Sequence, residues 1–111
     1  MKSIDELPDL MVELIENTTA EDDHIEFPGR AREIIKEISD FAKSTKIYSR
    51  NRERSKTFWE NDATPTDIYY FMIQKVVDAP TQIHRDAAVL LHMPALAEAI
   101  IKQERGEIED G

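Results

Sequence analysis

Between residues 31 and 45 the apolar side chains fall at helical intervals: Ala31, Ile34, Ile35, Ile38, Phe41, Ala42 and Thr45. Arg32, Glu33, Lys36, Glu37, Asp40 and Lys43 take the opposite side. A helix with one apolar stripe must bury that stripe against other elements. Pro28-Gly29 opens it, with proline near the first turn, where its missing N–H is harmless. Ile47 and Tyr48 are its last apolar pair.

The same spacing recurs elsewhere. Ile4, Leu7, Leu10, Met11, Leu14 and Ile15 predict a helix over 3–16, opened by the capping-box pair Ser3 and Glu6. Pro8 is placed in its first turn or two. Residues 18–27 read as an acidic connector. Residues 49–57 hold no large apolar side chain, so they are either an exposed helical extension or a loop. Asn61 to Pro65 reads as a loop, and Thr66 as the cap of a third helix running to Val77. That segment is apolar on most sides, which places it centrally in a bundle. Its β-branched and aromatic content leaves a strand pair as the alternative. A fourth helix follows Thr81. Pro94 is expected to interrupt it, with a fifth helix from Ala95 to about Arg105 and Gly106 as the stop.

The fold expected is therefore all-α: one domain over 1–111, a small bundle of about five helices, with residues 1–2 and 107–111 frayed. Helices two, three and four supply the core. The apolar third helix and the apolar run Ala87–Ala97 exceed what a thin bundle easily hides, which points to a homodimer.

Composition narrows the chemistry. The chain has no cysteine, which removes disulfides, thiolate metal sites and cysteine nucleophiles. Three glycines leave no phosphate-cradling loop. No G-x-S-x-G, H-E-x-x-H or P-loop is present. The sequence therefore predicts no catalytic residue, no cofactor and no metal site. No apolar run approaches the roughly 20 residues of a membrane span. Acidic residues stand where a signal peptide would be apolar, so the expected location is the cytoplasm.

Charge is distributed unevenly. Residues 1–27 carry Lys2 against nine acids: Asp5, Glu6, Asp9, Glu13, Glu16, Glu21, Asp22, Asp23 and Glu26. Lys43, Lys46, Arg50, Arg52, Arg54 and Lys56 form a basic band opposed only by Glu53, followed at once by Phe58 and Trp59. On a helix, Lys46, Arg50 and Arg54 would stack at four-residue spacing. The nine acids are candidate contacts to a basic partner surface. Lys46, Arg50, Arg52, Arg54, Lys56 and Trp59 are candidate contacts to a nucleotide or RNA. The bland counterpart of each is a solvated face, or pairing of one with the other. Asp22, Asp23, His24 and Glu26 match no standard metal loop and read as a solvated acidic loop. His84 and His92 lie about 12 Å apart along one helix, too far to share a metal. His92, inside an apolar run, reads as a core-edge residue.

Residues 85–100, RDAAVLLHMPALAEAI, resemble a short helix–proline–helix segment of small phage-encoded proteins, roughly A-N-A-x-L-I-A-A-A-P-x-L-L-E-A-L. Ala87, Pro94, Leu96, Glu98 and Ala99 match. His92 and Met93 depart from its alanines. The resemblance implies a phage or prophage origin and assigns no functional residue.

The expectation is a non-enzymatic interaction protein that binds and blocks a host protein, of anti-CRISPR or anti-restriction type, in the host cytoplasm. Its acidic face would occupy a basic, nucleic-acid-binding surface. Direct contact of the acidic body with nucleic acid or membrane is disfavoured. The alternatives are a nucleotide- or RNA-binding module using the basic band, and a transcriptional regulator with a helix-turn-helix at Met93-Pro94. The second helix of that motif would carry its only polar reach, Lys102, Gln103 and Arg105, at the wrong end.

Overall fold

A computed structural model describes residues 1–21, 24–46 and 63–106. Among them are a 3-10 turn at Ile4–Glu6, helix α1 (Leu7–Asn17), strands β1 (Thr19–Glu21) and β2 (His24–Glu26), then α2 (Gly29–Lys43), α3 (Pro65–Asp78) and α4 (Gln82–Glu104). The protein is mostly helical, with four helices among the described residues rather than about five.

Each helix end has a local cause. Ahead of α1, Glu6 Oε2 accepts from the Ser3 N–H at 3.1 Å and also from the Lys2 N–H. Pro8 sits in the first turn of α1, as its spacing predicts. The Met1 amino group is ion-paired with Glu37 on α2. At the other end Thr18 Oγ1 donates to the Leu14 carbonyl at 2.7 Å. Thr64, not Thr66, caps α3: its hydroxyl accepts from the Asp67 N–H at 3.2 Å, and Asp67 Oδ2 accepts from the Thr64 N–H at 3.1 Å. Pro65 is thereby the first helical residue rather than the end of a loop. The Thr81 hydroxyl caps α4. Gly106, with φ of 78°, closes it in the left-handed conformation that favours glycine.

The connector over 18–27 is not plain loop. Thr19–Glu21 pairs antiparallel with His24–Glu26, Ala20 opposite Ile25. Ile25 and Phe27 turn inward and are buried. Phe27 meets the Tyr69 ring edge-on at 5.6 Å, and the Tyr70 hydroxyl donates to the Glu21 carbonyl at 3.1 Å. These contacts fasten the ribbon to α3.

The central element is α4, not the third helix. It packs against both α2 and α3, while α1 lies on α2. Leu90, Met93, Pro94 and Leu96 are all but fully buried, and Leu90, Met93 and Leu96 share one core with Ile34 and Ile38 of α2 and Ile68 and Met72 of α3. α3 keeps an open side at Tyr70 and Val77.

Pro94 does not divide α4, so the expected fifth helix is its second half. A mid-helix proline removes one backbone hydrogen bond and crowds the carbonyl four residues back, at about 3 kcal/mol. Here its ring is buried, and the helix, packed on both α2 and α3, runs unbroken through it. The turn a helix-turn-helix needs at Met93-Pro94 is accordingly absent. The apolar run Ala87–Ala97 that pointed to a second subunit is largely covered by α2 and α3 of the same chain. Residues 47–62 and 107–111, with the expected extension or loop and the expected frayed tail, lie outside the described residues.

Two stability outcomes follow. Leu90→Ala, deleting a side chain 1% exposed at the centre, should lose about 3 kcal/mol in urea unfolding, while Ile83→Ala, 80% exposed, should stay within about 0.5 kcal/mol. Ser39 Oγ is buried without a hydrogen-bond partner among the described residues. Ser39→Ala removes that desolvated hydroxyl and should be neutral or stabilising, by up to about 1 kcal/mol, in the same assay.

Candidate functional site

The acidic residues of the first 27 positions are carried by α1, the turn before it and the ribbon after it. Asp5, Glu6, Asp9, Glu16, Glu21 and Glu26 are exposed. Asp5, Asp9 and Glu16 lie along one side of α1 and its leading turn. Helix α1 itself contains no lysine or arginine.

Among the described residues few of these charges have a cationic partner. Glu13 is the main exception. Arg30 on α2 donates to it through Nε to Oε1 at 2.6 Å and Nη2 to Oε2 at 3.1 Å. That fork holds the Glu13 carboxyl below its ordinary value and raises the Arg30 guanidinium. Arg30 also reaches Glu33 at 3.4 Å. Glu6 is lowered by the backbone N–H groups of Lys2 and Ser3. Glu26 Oε1 meets His24 Nε2 at 3.1 Å. Among the described residues no cation pairs with Asp5, Asp9, Glu16 or Glu21. Arg32 turns the other way, donating to the Phe27 carbonyl at 3.0 Å and pairing with Glu104 of α4.

Asp22 and Asp23 lie outside the described residues. So do Arg50, Arg52, Arg54, Lys56 and Trp59 of the basic band. Lys46 is exposed just beyond α2. Among the described residues no group of three or more histidine, aspartate or glutamate side chains is placed to hold a metal ion, and no helix is long and apolar enough to cross a membrane.

One feature of this surface is absent from the acidic pattern. Ile4, Val12 and Ile15 are 39%, 56% and 49% exposed, and Pro8 is exposed between them. Ile4 and Ile15 read as core positions from their spacing, but the buried residues of α1 are Leu7, Met11 and Leu14, with Leu10 partly buried against the core. The signal that could have separated the two sets is that α1 is apolar over more of its circumference than its contact with α2 covers.

The histidines occupy different settings. His84 is exposed, with Nδ1 at 2.6 Å from Thr81 Oγ1. His92 is buried, its ring edge-on to Phe71 at 5.1 Å. Burial disfavours its charged form, and the positive charge of Lys75 adds to this, so its pKa falls to about 4.

No protein-family model, curated protein or solved structure matches the chain. The fold and the surface together define a small helical protein with an acidic, partly apolar N-terminal face.

The His92 setting predicts a pH dependence. The unfolded chain takes up this proton near pH 6.5, the folded protein only near 4, so acid favours unfolding between those values. The stability is complete above about pH 6.5 and is lost as pH falls toward 4, by at most about 3 kcal/mol. Urea unfolding at pH 7 and 4.5 should show that loss in the wild type and a clearly smaller one in His92→Leu.

Proposed function

We propose that this chain is a non-enzymatic interaction protein that binds a basic protein surface through its acidic N-terminal face. The observation that supports this most is the exposed set Asp5, Asp9, Glu16 and Glu21, paired with no cation among the described residues and held on a helix and a ribbon that pack on the bundle. Such a face resembles a nucleic-acid backbone in charge. It would compete for a groove built to hold one and speed encounter with it by long-range attraction. Blocking a host nucleic-acid-binding protein, as an anti-CRISPR or anti-restriction protein does, is the activity this reading implies. The likeness of residues 85–100 to phage-encoded segments accords with it.

The test uses the full chain, tagged, in cells of its source, against a variant carrying Asp5→Asn, Asp9→Asn, Glu16→Gln and Glu21→Gln. The wild type should capture a nucleic-acid-binding protein, release it as salt rises, and abolish that protein's nucleic-acid binding at one-to-one ratio. The variant should bind it at least about tenfold more weakly. Equal capture by the variant would contradict the proposal. So would a captured partner that keeps its nucleic-acid binding. Loss of binding on replacing Arg50, Arg52 and Arg54 instead would favour the RNA- or nucleotide-binding alternative.

A further inference from the structure

Ile4, Pro8, Val12 and Ile15 recur at four, four and three residues, so they stack into one strip along α1 and its leading turn, about 16 Å long. Single exposed apolar residues are ordinary, but a strip in helical register is a contiguous surface. Asp5, Asp9, Glu13 and Glu16 each follow a strip residue by one position, so they line one border of it. Among the described residues only Glu13 of these is tied down, by Arg30.

We propose that this strip is the anchoring seam of the acidic face and takes a basic amphipathic helix of a partner protein. Leucine-like side chains would lie on Ile4, Val12 and Ile15, and lysine or arginine side chains along Asp5, Asp9 and Glu16. The inference rests on the acidic face being a partner-binding surface and names the partner's chemistry. Charge selects this occupant. A second copy would bring the same acidic border against itself, and like charges in register are unfavourable. Nucleic-acid phosphates and anionic lipid are rejected on the same ground. The apolar strip supplies what charge alone does not. Side chains that exclude water at the centre of a contact carry most of its affinity, while rim charges set rate and salt dependence.

The probe is a synthetic helical peptide with leucines at i, i+3, i+4 and i+7 and lysines between. A scrambled peptide of the same composition is the control. Titrated into ¹⁵N-labelled full-length protein, the helical peptide should shift amide resonances of residues 4–16. The scrambled one should bind about tenfold more weakly. The double variant Val12→Ser, Ile15→Ser alters exposed positions, so it should keep its circular dichroism and thermal midpoint while losing about tenfold in peptide affinity. Shifts confined to other elements, or wild-type affinity in the double variant, would overturn the inference. So would a concentration-dependent dimer that the double variant abolishes, which would assign the strip to a second copy. Equal binding of both peptides, lost on neutralising Asp5, Asp9 and Glu16, would overturn the apolar seam and leave the acidic face standing.

Discussion

The structure depends on burial of the middle of α4 between α2 and α3. Leu90, Met93, Pro94 and Leu96 occupy that position, and the two flanking helices owe their places to it. α1 then lies on the free side of α2, and the ribbon is held to α3 by Phe27, Tyr69 and Tyr70. The acidic face therefore rides on elements at the edge of the bundle. It is positioned by the core without being part of it, so its charges can change with little effect on folding.

This arrangement explains which charges are free. Where an acidic residue meets a neighbouring helix it acquires a structural partner: Glu13 with Arg30, Glu37 with the Met1 amino group, Glu104 with Arg32. Where α1 faces outward, Asp5, Asp9 and Glu16 are exposed and pair with no cation among the described residues. Exposed ion pairs contribute little to stability. Those present align α1 with α2 and α2 with α4 rather than hold the fold together. The apolar strip beside these acids follows from the same geometry: among the described residues α1 packs mainly on α2, and its apolar surface extends beyond that contact.

Much of the fold was legible in the sequence because helical spacing is a local signal. The stripe from Ala31 to Ala42 is the buried side of α2, and Gly106 closes α4 as its position suggests. What was misread depended on tertiary context. Pro94 is a breaker by local rules, yet its ring is buried and α4 runs unbroken through it. Thr64 and Thr66 are equally good caps by composition, and the reciprocal bonds of Thr64 with Asp67 decide between them. The ribbon over 19–26 is too short to show a strand period, and its pairing needed Tyr70 and a buried Ile25. Of the candidate surface, the acids were legible as a list, but not which of them the fold would pair. The apolar strip was not legible, because Ile4 and Ile15 fit a core spacing as well as an exposed one.

A partner-binding acidic face requires that the folded protein carry an uncompensated negative potential at α1. Amide-proton relaxation by a cationic and by a neutral nitroxide probe of the same size measures that potential along the chain directly. The account predicts that the cationic probe is enriched most strongly around residues 5–16 and the ribbon. An even distribution, or a maximum elsewhere on the molecule, would contradict it.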